Sequence, residues 1–168
     1  FTGRENMMWH IKPTGDGYYA LRPGTSTTLA AGPASATDSS TNVGVYSTTN
    51  SSTFPDWSRW KIQKNSDGSY AILSKVSGEK CGLDVDNLSK ADGGNVSQFN
   101  YHGGTNQKWY FEHVKKGNTA EAEDGKQYQI RAYHSGKYLD FAGDGTVSGT
   151  QMIQNYKDSS AVQRFQLE

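Results

Sequence analysis

An internal repeat constrains this chain more than any other feature. An Asp-Gly turn followed by a tyrosine-bearing strand occurs three times, at Asp16-Gly17-Tyr18-Tyr19-Ala20-Leu21, Asp67-Gly68-Ser69-Tyr70-Ala71-Ile72 and Asp124-Gly125-Lys126-Gln127-Tyr128-Gln129-Ile130. Asp-Gly favours a tight turn because glycine takes positive φ at no steric cost. Each copy continues with a short strand around a leucine: Thr28-Leu29-Ala30, Gly82-Leu83-Asp84-Val85 and Tyr138-Leu139-Asp140-Phe141. A third strand follows a polar loop, at Val43-Gly44-Val45-Tyr46, Val96-Ser97-Gln98-Phe99 and Met152-Ile153-Gln154-Asn155. A closing strand places an aromatic two residues before an apolar residue: Trp60-Lys61-Ile62, Trp109-Tyr110-Phe111 and Phe165-Gln166-Leu167.

Three four-strand units, spaced by about 55 residues from Leu29 to Leu83 to Leu139, imply an all-β, barrel-like fold. One unit cannot bury its apolar face alone, but three around a pseudo-three-fold axis can. The expected architecture is a β-trefoil, one domain over 1–168, with repeats at 14–63, 64–123 and 124–168 and an extension or extra strand at 1–13. Trp9-His10-Ile11 reads as a fourth closing strand, seven residues before Asp16 as Trp60 is seven before Asp67. Residues 8–12 therefore either lie outside the barrel or compete with 163–168 for one closing position.

Composition agrees. Apolar residues make up 33% but aromatics reach 12%, so rings supply much of the core volume. No long window carries the i, i+3, i+4, i+7 apolar spacing of a helix. Lys plus Arg and Asp plus Glu are 17 each; a neutral chain without a basic stripe argues against nucleic acid. No apolar run approaches membrane-spanning length. The lone Cys81 is read as a small buried hydrophobe. A chain opening at Phe1 is expected to be a processed or excised part of a larger, secreted, multi-domain protein.

At Leu83-Asp84-Val85 and Asn106-Gln107-Lys108-Trp109 the chain resembles the ricin B-type lectins and family 13 carbohydrate-binding modules, marked by Leu-Asp-Val and a closing Gln-x-Trp. The third repeat follows with Tyr138-Leu139-Asp140 and Gln163-Arg164-Phe165. The first departs, with Ala30 after Leu29 and Ser58-Arg59-Trp60 as its closing motif. The disulfide of many relatives is absent, because Tyr101 stands where the second cysteine would be.

A sugar presents hydroxyls that need paired donors and acceptors, and an apolar C–H face that needs an aromatic plane. The resemblance maps these roles in the second repeat onto Asp84 as acceptor, Phe99 as stacking ring, and His102 and Asn106 as further hydrogen-bonding groups, with Gln107 bracing the loop. In the third repeat it implies Asp140, with Asn155 at the stacking position, Tyr156 beside it and Asp158 aligned with His102; Val162 replaces the asparagine. In the first repeat Tyr46 aligns with Phe99 but Ala30 replaces the acid, so that site is expected to be dead or rebuilt around Asp56 and Trp57.

The implied function is non-catalytic binding of mono-, oligo- or polysaccharide, targeting a secreted enzyme to galactose- or xylose-containing plant polymers. A glycosidase needs two carboxylates about 5 to 9 Å apart across one bond. Asp84 and Asp86 share a face only if the stretch stays extended. Asp84-Val85-Asp86-Asn87 opens like a calcium loop, but Ser89 and Asn95 stand where glycine and glutamate belong. His10, His102, His113 and His134 lack ligand spacing, so neither metal nor cofactor is expected. The alternative is a protein-interaction or protease-inhibitor trefoil that displays Ala34 to Asn42 or Thr48 to Pro55 as a protruding loop.

Overall fold

The computed structural model describes residues 7–34, 36–49, 52–114, 127–143, 145–156 and 163–164. Its strands are β1 (Trp9–Pro13), β2 (Tyr19–Pro23), β3 (Leu29–Gly32), β4 (Thr41–Asn42), β5 (Gly44–Ser47), β6 (Arg59–Lys64), β7 (Tyr70–Ser74), β8 (Cys81–Val85), β9 (Gly94–Asn100), β10 (Trp109–Val114), β11 (Gln127–Ala132), β12 (Tyr138–Phe141), β13 (Thr150–Asn155) and β14 (Gln163–Arg164). The fold is an all-β β-trefoil. A closed ring runs β10, β11, β1, β2, β6, β7 and back to β10, every pairing antiparallel. Three hairpins, β3/β5, β8/β9 and β12/β13, complete the three units.

The turns behave as their residues dictate. Gly17 and Gly68 adopt φ of 84° and 82°, which only glycine takes without strain. The aspartate before each glycine pairs with a cation at the entry to the closing strand of its own unit: Arg59, the first residue of β6, on Asp16 at 2.9 Å and Lys108, just before β10, on Asp67 at 2.7 Å.

The contested closing position belongs to β1. Trp9 pairs with Tyr128 on one side and Pro23 on the other, while β14 lies against β10 through Glu112↔Arg164 and His113↔Gln163. Chemistry selects Trp9. The indoles of Trp9, Trp60 and Trp109 are fully buried, and each donates to a backbone carbonyl: Leu139 at 3.3 Å, Ala31 at 3.0 Å and Leu83 at 3.0 Å. A buried indole N–H left unanswered would be costly. The same buried core holds Leu21, Ile72 and Ile130, one from each unit, with Leu83, Leu139 and Ala31.

Those indole bonds also fix the register. Ala31, not Leu29, is the counterpart of Leu83 and Leu139. The hairpin pairings agree: Ala31↔Val45 corresponds to Leu83↔Gln98 and Leu139↔Gln154. Gly32, not Ala30, therefore stands in the acid's place in the first unit. The segment around 36–42 does not protrude. It is pinned to β9 by Thr41↔Gln98 and Asn42↔Ser97 and by the Gln98 side chain, which donates to the Ala36 and Asp38 carbonyls at 3.1 and 2.7 Å.

Candidate functional site

Paired residues of an antiparallel hairpin point to the same face, and so do residues two apart. Gly82, Asp84, Ser97 and Phe99 thus share one face of the β8/β9 hairpin, through Gly82↔Phe99 and Asp84↔Ser97. The closing loop leans over this face through a 3-10 turn at Thr105–Gln107. Gln107 builds that loop. Its Oε1 accepts from the His102 and Gly103 N–H groups at 2.9 and 3.2 Å, and its Nε2 donates to the Asn100 carbonyl at 2.9 Å. Asn106 then donates from Nδ2 to Asp84 Oδ1 at 2.9 Å and to the Val85 carbonyl at 3.1 Å.

Asp84 is only 3% exposed. Its Oδ1 is answered by Asn106, but its Oδ2 is buried with no donor within hydrogen-bond distance. Burial foremost, with the Asp86 carboxylate adding, raises its pKa to about 6, against the pull of the Gln107 amide first and then of His102 and Asn106. Phe99 is 37% exposed, and His102 meets it edge to face at 6.3 Å between centroids. The structure thus brings Asp84, Phe99, His102 and Asn106 together at one hairpin and its closing loop. An acceptor without a partner, an open apolar ring and an exposed imidazole are the three chemical handles they provide.

In the third unit Tyr138, Asp140, Ile153 and Asn155 occupy the same face. Asp140 is 6% exposed, and burial raises its pKa too. Its Oδ1 accepts from the Phe141 N–H and its Oδ2 from Asn155 Nδ2, both at 2.8 Å. Asn155 Oδ1 in turn accepts from the Gly93 N–H of the second unit at 2.9 Å. Tyr156 is 73% exposed; its N–H donates to Asp92 at 2.8 Å, and Lys137 Nζ lies 5.6 Å from its ring centroid. Asp158 and Val162 lie outside the described residues.

In the first unit the face reads Ala30, Gly32, Gly44 and Tyr46. Trp57 stands in the place of Asn106, in the matching 3-10 turn Asp56–Ser58. A Cβ on Gly32 would lie 2.2 Å from the Trp57 carbonyl oxygen, so no acid fits there. The Trp57 ring meets Tyr46 edge to face at 5.8 Å. Asp56 does not substitute for Asp84, since it pairs with Lys75 at 3.0 Å.

Asp86 is likewise engaged, accepting from Asn95 and Ser97. It opens a 3-10 turn, Asp86–Leu88, so the stretch does not stay extended through it, and Asp86 meets the Asp84 face through its bond from Ser97. Among the described residues no group of three His, Cys, Asp or Glu side chains is placed to hold a metal ion.

The profile of the ricin-type beta-trefoil lectin domain-like family matches residues 5–99 and 105–168. The chain belongs to this family. Ricin-type β-trefoil lectin domains bind carbohydrate and are not catalytic. A designed three-fold symmetric protein, ThreeFoil, superposes on this lectin domain with TM-score 0.68 and 32% identity over 86% of this chain and 93% of its own. An exo-beta-1,3-galactanase from Clostridium thermocellum gives TM-score 0.62 at 20% identity, over 92% of this chain and 28% of that one. A mosquitocidal holotoxin gives 0.59 at 18% identity, over 95% and 17%. At those identities the last two show the fold alone, and the lectin domain spans a minor part of each. Comparison with curated proteins finds no match. No helix among the described residues is long and apolar enough to cross a membrane.

Proposed function

We propose that this lectin domain binds sugar through its second unit. Asp84 accepts from a ring hydroxyl, Phe99 stacks under the C–H face, His102 adds a bond at the rim, and Asn106 holds the acid in place. The observation that carries the reading is the Asp84 Oδ2 atom, buried with no partner. Among the described residues several buried side-chain atoms lack a partner within hydrogen-bond distance, and Asp84 Oδ2 is the carboxylate oxygen among them, for which an unanswered burial costs most. A sugar hydroxyl supplies the missing donor, and a hydrogen bond to a carboxylate is among the stronger kinds.

The ligand class we favour is a neutral, galactose- or xylose-containing plant polysaccharide, with the domain carried by a secreted enzyme. The likeness to one portion of an exo-beta-1,3-galactanase supports that setting. A shallow site implies a dissociation constant on the order of tens of micromolar to millimolar.

A glycan and plant-polysaccharide array probed with the parent and Asp84→Ala tests this. Binding by the parent and its loss in the variant, with unchanged circular dichroism, is the expected result. A variant that binds as well as the parent overturns the site; a parent that binds nothing overturns the function.

A further inference from the structure

The backbone at Gly104 does not require glycine. Its φ of −63° and ψ of 162° are open to every residue. The counterpart in the first unit, Pro55, has φ of −67° and ψ of 160°. The neighbourhood is what leaves a side chain no room unless the His102 ring moves. A Cβ on Gly104 would lie 2.5 Å from His102 Cε1, 2.8 Å from His102 Nδ1 and 3.0 Å from Asn106 Oδ1. The Gly104 N–H also donates to His102 Nδ1 at 3.1 Å. A neutral imidazole whose Nδ1 accepts a hydrogen bond carries its proton on Nε2. One residue thus leaves room for the ring and selects its tautomer. Pro55 has no N–H to give, and two residues before it stands Thr53 rather than histidine.

We propose that Gly104 is a positioning residue of the second-unit site. Its N–H holds His102 as the Nε2–H tautomer, so the imidazole presents a donor next to Phe99. Its missing side chain leaves the imidazole and the Asn106 amide where they are. The site then offers one acceptor, on Asp84, and one donor, on His102. That pair fits two sugar hydroxyls, one giving its proton and one receiving. The identity of the ligand rests on the sugar-binding reading above; the positioning of His102 does not.

The test begins with the imidazole nitrogen spectrum of the 15N-labelled parent at pH 8. His102 with its proton on Nε2 is expected, and a proton on Nδ1 overturns the proposal. Gly104→Ala, His102→Ala and the double variant are then titrated calorimetrically with lactose and with xylobiose. Gly104→Ala is expected to mix the two tautomers and weaken binding about three- to tenfold, while keeping its melting temperature within a few degrees of the parent's. Added to His102→Ala it should cost less than it costs alone. An unchanged tautomer spectrum, or fully additive losses, overturns the proposal. Should the parent bind neither sugar nor any polysaccharide, the sugar reading falls and the tautomer spectra alone decide the role of Gly104. Should Gly104→Ala not fold, the parent spectrum decides.

Discussion

Asp84 and Asp140 stand at the same register of equivalent hairpins, each following a leucine whose carbonyl receives an indole N–H. Both are buried, and burial raises both pKa values. They differ in what answers them. Asp140 has a donor on each oxygen, from Phe141 and Asn155. Asp84 has one on Oδ1 only. The difference traces to one position, Phe99 in the second unit and Asn155 in the third. A ring gives a ligand a surface to stack on but cannot donate to the acid. An amide donates to the acid but gives no surface. The first unit abandons the arrangement, with Gly32 under Trp57. The repeat keeps its tryptophans and central aliphatic residues, which the barrel needs, and varies the face that the barrel does not.

The largest effect is expected from forcing the first unit to resemble the second. Gly32→Asp drives a side chain into the Trp57 backbone at 2.2 Å, and backbone yields less readily than a side-chain tip. With a buried carboxylate added to the clash, the loss should be about 3 kcal/mol or more, read by urea denaturation. A loss under about 1 kcal/mol would mean that Trp57 moves aside readily and that the first-unit site is open to repair.

The next effect probes the unanswered oxygen. The Asp84 pKa is raised from an ordinary 3.8 to about 6. Between those values the folded chain holds a proton that the unfolded chain has released, so stability falls as pH rises across that window and stays low above it. A rise of that size corresponds to roughly 3 kcal/mol at most. Asp84→Asn keeps the shape and removes the charge, so it should be more stable than the parent at pH 7.5 by about 1–2 kcal/mol, its own unpaired N–H offsetting part of the gain. That advantage should shrink as pH falls to 4. Parallel profiles for the two proteins would show that burial does not strain this carboxylate.

Much of this was legible in the sequence. The Asp-Gly turns, the repeated aromatic-x-apolar closing strands and the polar linkers gave the trefoil, and Leu83-Asp84-Val85 with Asn106 to Trp109 pointed to the residues that gather in the second unit. The first-unit register was not legible. A slip of two residues leaves the alternation of faces intact, so Leu29 and Ala31 are equally good by pattern, and it takes the bond from Trp60 to Ala31 and the pairing Ala31↔Val45 to separate them. The closing strand was open for a related reason: Trp9 and Phe165 both satisfy the pattern, but only an indole has an N–H to give. Asn6 precedes Trp9 by three residues as Asn106 precedes Trp109, a sequence signal for the third unit that pointed to Trp9; Asn6 itself lies outside the described residues. The double role of Asn155 could not be read at all, because its second partner, Gly93, arrives from a neighbouring unit.

The smallest effect, and the most direct test of the comparison, comes from Asn155→Phe. The substitution gives the third unit the ring of the second and removes the donor to Asp140 Oδ2 and the acceptor for the Gly93 N–H. Losing two such bonds, offset in part by the apolar area the ring buries, should lower stability by about 1 kcal/mol, and Asp140 should become, like Asp84, an acid with one oxygen unanswered. If a ring and an unanswered acid suffice for a site, calorimetric titration with the sugar the parent binds should rise from one equivalent toward two. If stability falls and the titration stays at one, the ring and the acid are not enough, and the loop carrying His102 and Asn106 is what turns the second unit into a site. If stability does not fall, the Asn155 amide contributes nothing net, and the contrast between Asp84 and Asp140 must have another cause.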